Sequence, residues 1–232
     1  MNVLRILVAD DHEIVRRGLV SLLKSHAQWD VCAEAEDGRQ AVQKAKELRP
    51  DVVILDIGMP NLNGLEAARQ ILRDHPQCRV LILTITDADE IVRAVLAAGA
   101  RGFVLKSDAA RDLVAAVEAL QSNKTFFTSR VADMVLGGYL GRGQAATNGK
   151  VALPILTPRE REIVQLLAEG KSTKEVASYL NLSVKTAETH RSNIMRKLDL
   201  HSVSALVLYA VRNNMVQVTT TQLAAVASQE AR

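Results

Sequence analysis

Short apolar runs alternate with amphipathic stretches through the first half of the chain. The runs cover residues 3–9, 29–35, 51–56, 79–84 and 101–106, and each is Leu-rich or β-branched, as strands are. Between them, apolar positions recur at helical spacing around residues 13–25, 38–48, 64–73, 88–98 and 108–121. Strand then helix, repeated in this way, predicts a doubly wound (βα)5 α/β domain over residues 1–121: a parallel sheet with helices on both faces.

The pattern changes after residue 121. A short amphipathic stretch, SRVADMVLGGYL (129–140), predicts one more helix, and glycines at 137, 138, 141, 143 and 149 then break all periodicity. Residues 122–153 are therefore expected to be a helical extension and flexible linker. From 154 to 216 only helical periodicity remains, and each predicted helix has a start signal. Thr157 is followed by Pro158 and Glu160, a capping box with Pro at the first helical position. Ser172, Ser183 and Ser202 are placed to cap the next three helices, and Gly170 stops the first. The second and third are joined by a tight NLS turn, which suggests a helix-turn-helix in a four-helix domain. The tail, 217–232, has no clear face and is expected to fray.

Composition narrows the classes. The chain has 232 residues, 48% of them hydrophobic, so a core can be buried; with 3% aromatics it must be aliphatic, and no stacking platform for single-stranded nucleic acid is evident. No basic leader precedes an apolar run at Met1 and no apolar stretch is long enough to span a membrane, so the chain is expected in the cytoplasm. Cys32 and Cys78 form no C-x-x-C pair and are expected to be inert buried thiols. Residues 1–149 carry 18 basic and 19 acidic side chains, whereas residues 150–232 carry 11 and 7. The positive charge belongs to the helical third, a modest hint of a polyanion partner there.

Ligands of a doubly wound sheet sit beyond the carboxyl ends of its strands. At those ends stand Asp10 and Asp11, Asp56, Thr84 and Lys106. Three close carboxylates repel one another unless a hard cation lies among them, and Mg²⁺ with oxygen ligands meets that need. Such a site could let one carboxylate attack a phosphoryl group, with Lys106 and Thr84 contacting the phosphoryl oxygens. Taken singly, each Asp could instead cap a helix or open a turn.

The segments VADDHEIVRRGL, DVVILDIGMPNLNG, LILT and GFVLK resemble, in order and spacing, the receiver domain of two-component response regulators. That resemblance implies that Asp56 is the phosphoacceptor. Asp10, Asp11 and Asp56 would hold Mg²⁺ with the backbone carbonyl of Gly58; Lys106 and Thr84 would bind the phosphoryl group, and Phe103 would be the aromatic switch residue.

In the third helix of the C-terminal part, Ala187, His190, Ile194 and Leu198 share one face, expected to pack inward. Lys185, Thr189, Ser192 and Arg196 share a second, polar face suited to a major groove, with Glu188 and Arg191 on its flanks. Periodicity alone fits equally a helical bundle whose polar face meets water. LTPREREI, GKSTKEVA, LSVKTAETH and NIMRKL, however, are similar to the DNA-binding domain of LuxR-type, NarL/FixJ-type regulators. By that match Lys185, Glu188, Thr189 and Ser192 approach base edges, Thr173, Lys174, Arg191 and Lys197 hold phosphates, and the fourth helix, through Val203, Leu206, Val207 and Ala210, dimerises.

Together the two resemblances imply a transcription factor, not an enzyme: phosphorylated on Asp56 by a sensor histidine kinase, a homodimer when phosphorylated, bound to an inverted repeat in double-stranded DNA, with no membrane partner. Two alternatives fit less well. An aspartyl-phosphate hydrolase wants D-x-D after the first strand, where this chain has DDH; a phosphorylation-independent regulator has no need of an intact set of site residues.

Overall fold

The computed structural model describes residues 3–127, 131 and 156–216, which fall into two compact units. The first contains five strands, β1 (Leu4–Ala9), β2 (Trp29–Ala35), β3 (Val52–Asp56), β4 (Arg79–Thr84) and β5 (Gly102–Leu105). All pair in parallel, in the order β2-β1-β3-β4-β5. The connecting helices are α1 (Glu13–Lys24), α2 (Gly38–Leu48), α3 (Gly64–Asp74), α4 (Asp89–Ala97) and α5 (Ala109–Gln121). Strand order reverses between β1 and β3, which sets a crevice at their carboxyl ends.

The central strands are buried on both faces. Ile6, Val8, Ile54, Leu81 and Leu83 pack with α1 and α5 through Leu19, Leu23, Leu113 and Val117, while the alternate residues Leu7, Val53, Leu55 and Ile82 are also wholly buried. β2, at the sheet edge, is only partly buried. The opposite edge, β5, is partly covered. Phe126, in the stretch where the sequence predicts the start of an extension and linker, forms a parallel bridge with Gly102, and its carbonyl accepts from Phe103 N–H at 2.9 Å. A single bridged residue thus satisfies part of an exposed strand edge. The further helix expected over 129–140 lies outside the described residues apart from buried Val131, as do the linker glycines and the tail from 217.

The second unit holds α6 (Pro158–Ala168), α7 (Thr173–Tyr179), α8 (Val184–Lys197) and α9 (Val203–Arg212). Every cap expected from sequence is formed. Thr157 and Ser172 each complete a capping box, and the side chains of Ser183 and Ser202 accept from Thr186 and Ala205 N–H. Gly170 turns the chain with φ +85°, a conformation that suits glycine. Ile163, Leu166, Val176, Ile194 and Leu206 form the core. Ala187 and Ile194 face inward as expected, with His190 half-buried.

Leu206 and Ala210, expected on a dimerising face, are 1% and 0% exposed and belong to the domain's own core. The apolar residues that α9 leaves open are Val203 and Leu208, about half exposed. Periodicity locates an apolar stripe but does not say whether it meets its own core or a partner.

Candidate phosphoacceptor pocket and nucleic-acid interface

Register builds the first site. Ala9 pairs with Leu55, so the next residues, Asp10 and Asp56, emerge side by side; Thr84 pairs with Leu105, which brings Lys106 to the same edge. Both aspartate side chains are buried, at 0% and 1% exposure. Lys106 Nζ reaches across to both, 2.8 Å from Asp10 Oδ2 and 3.0 Å from Asp56 Oδ2. Neither Asp56 oxygen receives a hydrogen bond of good geometry. Burial pushes the Asp56 carboxyl above the usual range, Lys106 opposes that push, Asp10 adds to it, and the Gly58 N–H favours the charged form. At Lys106 burial acts against the ammonium, but Asp56 and Asp10 outweigh it and raise its pKa. One ammonium among three carboxylates leaves the pocket anionic.

Asp11 is partly exposed, and Asp10, Asp11 and Asp56 lie close enough to share one cation: a ligand atom from each, and one from His12, all fall within 4.8 Å of one another. The Thr84 hydroxyl is buried and turned to its own turn, 3.3 Å from the Thr86 carbonyl. Phe103 is wholly buried with its backbone held by Phe126.

Two supports go beyond what the sequence motifs indicate. The Arg16 side chain, 9% exposed, donates to the Asp10 carbonyl at 2.8 Å while its other nitrogens meet Glu34 and Glu36 at 3.3 and 3.2 Å. It therefore holds the main chain from which Asp10 projects. A signal for it is present in the sequence: Arg16 falls on the inner face of α1 with Leu19, Val20 and Leu23, where a charge needs a partner. Gly64, the first residue of α3, lies against the Asp56 backbone so closely that a Cβ there would stand 2.0 Å from the Asp56 carbonyl oxygen. Nothing in a linear pattern reveals such an approach.

On the second unit, an open groove along α8 is lined by Thr173, Lys185, Glu188, Thr189, Arg191 and Ser192, all six expected from sequence. Asn193, Met195, Leu200 and His201 complete its wall and were not expected. Arg191 Nη1 donates to Thr173 Oγ1 at 3.3 Å, which orients the guanidinium across two helices. Lys174 is exposed outside the groove lining. Lys197 is not brought into this set: its ammonium sits 2.7 Å from Glu160 Oε2, an ion pair inside the domain.

Residues 6–118 match the response regulator receiver domain, and residues 154–210 match the bacterial regulatory proteins of the luxR family. The transcriptional regulatory protein LiaR of Bacillus subtilis is 38% identical over 215 residues, covering 92% of this chain and 99% of that one. The chain is a response regulator with a luxR-type DNA-binding domain. Members of this family are transcription regulators rather than enzymes, which disposes of the hydrolase alternative. The oxygen regulatory protein NreC of Staphylococcus epidermidis is similar to this response regulator too, at 36% identity over 92% of this chain and all of that one. Among solved structures, RcsB from Salmonella enterica serovar Typhimurium, bound to promoter P1flhDC in the presence of phosphomimetic BeF3⁻, matches with a TM-score of 0.55 and 31% identity, over 90% of this chain and 98% of that one. No helix of the response regulator, among the described residues, is long and apolar enough to cross a membrane.

Proposed function

We propose that this response regulator is switched by phosphorylation of Asp56, delivered by a sensor histidine kinase, and that the switch controls dimerisation and binding to an inverted repeat in double-stranded DNA. The observation that carries this is the Asp56 carboxylate: buried, lacking well-formed hydrogen bonds, and touching an ammonium that a neighbouring carboxylate shares. A structural aspartate would be expected to satisfy its oxygens within the fold.

The residues fit a hard divalent cation, since Asp10 Oδ2 and both Asp56 oxygens are buried without well-formed hydrogen bonds, in a cluster where one ammonium faces three carboxylates. Mg²⁺, held by Asp10, Asp11, Asp56 and the Gly58 carbonyl, would neutralise charge on the incoming phosphoryl group. An Asp56 oxygen attacks phosphorus in line; the new P–O bond forms as the donor's P–N bond breaks, and the released imidazole takes up a proton. Lys106, already at Asp56, exchanges its carboxylate contact for a phosphoryl oxygen. The Thr84 hydroxyl leaves the Thr86 carbonyl for the phosphoryl group, and Phe103 moves with it.

In this reading residues 1–121 receive the signal, 122–153 connect, and 154–216 dock on DNA, with 217–232 as a tail, in the cytoplasm. Lys185, Glu188, Thr189 and Ser192 read base edges from the α8 groove, while Thr173, Lys174 and Arg191 contact phosphates. RcsB, as a promoter-bound relative, supports DNA as the partner. The test is DNA binding and sedimentation of wild type and Asp56→Ala, before and after acetyl phosphate with Mg²⁺. Wild type is expected to dimerise and tighten on DNA while Asp56→Ala does neither. A wild-type response unchanged by phosphodonor sinks the switch and leaves a phosphorylation-independent regulator.

A further inference from the structure

The helix that follows β1 begins in an unusual way. N-cap positions favour Ser, Thr, Asp or Asn, whose side chains accept from the first free N–H groups. The N-cap of α1 is instead His12, and its side chain makes no cap hydrogen bond. The imidazole turns to the acidic pocket: Nδ1 lies 2.8 Å from Asp11 Oδ1 and 3.4 Å from Asp10 Oδ1. His12 also offers a ring nitrogen to the 4.8 Å cluster of possible ligand atoms that Asp10, Asp11 and Asp56 form. His12 is 61% exposed and stands at the mouth of the pocket, whereas the Asp10 and Asp56 carboxylates are buried at its floor.

That geometry bears on which cation is taken. A pocket of carboxylate and carbonyl oxygens suits Mg²⁺, which prefers oxygen and keeps several waters. An imidazole nitrogen suits the first-row transition ions, for which affinity rises from Mn²⁺ through Co²⁺ to Ni²⁺. We propose that His12 is a nitrogen ligand of the acidic pocket, so that the receiver domain takes Mn²⁺, Co²⁺ or Ni²⁺ through His12 together with the aspartates, and Mg²⁺ through oxygens alone. Asp10, Asp11 and Asp56 would hold such an ion together with His12, which would link the N-cap of α1 to the pocket. The inference rests on the acidic cluster being a cation site, as the proposed function requires.

The test uses the full-length, tag-free chain with Mn²⁺ as the probe. Pulsed electron paramagnetic resonance of the Mn²⁺ complex, with histidine supplied as ¹⁴N or ¹⁵N, reads nitrogen coordination without reference to phosphorylation. The expected result is an isotope-sensitive histidine coupling in wild type that is absent in His12→Ala and in His12→Asn, the second of which restores a good N-cap and guards against loss of the helix. Titration should show Co²⁺ affinity falling at least about tenfold in both variants, given that even indirect support of a ligand is worth that much, with Mg²⁺ affinity changing less than about twofold, as expected of an ion held by oxygen. If Mn²⁺ binds and responds to Asp56→Asn but shows no histidine coupling, or if Mg²⁺ and Co²⁺ weaken equally, His12 is not a ligand while the acidic site stands. If no divalent cation binds wild type, both readings fall.

Discussion

Replacing Gly64 with Ala would bring a Cβ to 2.0 Å from the Asp56 carbonyl oxygen, 2.8 Å from its carbon and 3.2 Å from the Ile57 Cα. All three are backbone atoms, so no side chain can swing aside. Reaching even a 3.0 Å contact requires the start of α3 and the end of β3 to part by at least about 1 Å. Overpacking of this kind costs about 1–3 kcal/mol, against which a better helix former returns less than about 1 kcal/mol. A net loss of about 1–2 kcal/mol is expected, and with a urea m-value of about 2 kcal/mol/M the midpoint falls by about 0.5–1 M. Trp29 is the single tryptophan and is buried in the first unit, so its fluorescence reports that domain's unfolding. The same shift displaces the Asp56 carboxylate, and a displacement of about 1 Å slows phosphorylation by acetyl phosphate about a hundredfold, read by intact mass. Gly18→Ala is the control: nothing lies within 4 Å of its Cβ position in α1, and it should stabilise by about 0.5–1 kcal/mol. A Gly64→Ala chain that unfolds at the wild-type urea concentration and accepts phosphoryl groups at the wild-type rate refutes the close approach.

Arg16→Met should lower stability by about 2 kcal/mol in the same Trp29 assay, because the buried Asp10 carbonyl loses its donor while Glu34 and Glu36 are exposed enough to rehydrate; an unchanged midpoint would show that Arg16 supports nothing. Burial alone would raise the Glu160 carboxyl, but bonds from Lys197 and Thr157 outweigh it and hold its pKa below the ordinary 4.5. The folded form therefore binds the proton less well than the unfolded form. This contribution is present above pH 4.5, fades as pH falls through the folded value, and should disappear from the pH profile of the second domain in Glu160→Gln, followed by circular dichroism. Lys174→Ala should reduce the salt slope of DNA binding by about 1, whereas Lys197→Ala, whose ammonium Glu160 already holds, should leave the slope unchanged and lower domain stability; filter binding across salt concentrations separates the two. Burial pushes the Cys78 thiol up to about 12, so it should resist alkylation at pH 8 until urea unfolds the chain, as mass spectrometry would show.

Much of the architecture is legible in the sequence because it depends on local rules. Strand length, helical spacing and the Ser or Thr before each C-terminal helix are properties of neighbouring residues, and all four caps form where they are expected. The convergence of Asp10, Asp56 and Lys106 is also readable, because strand ends in a parallel sheet share one edge. The remainder depends on approach between distant segments. Glu160 and Lys197 meet from well-separated parts of the second domain's sequence, Gly64 abuts Asp56 across the β3–α3 loop, and Leu206 turns to its own core. Arg16 stands between these cases: its place on an apolar helix face announces a partner, but not that the partner is the Asp10 carbonyl.

The pairing register that aligns Asp10 with Asp56 and carries Lys106 to them has a consequence for quality control in the cell. The three groups are contributed by the first, third and fifth strands, nearly a hundred residues apart, and they meet only when β1, β3, β4 and β5 have all paired. A chain stalled with its last strand unpaired has no ammonium at Asp56, and one with its first strand frayed has no Asp10 beside it. If Asp56 is the phosphoacceptor, competence to take up a phosphoryl group is then a property of the finished sheet, and a copy with an unpaired strand would not respond to the signal.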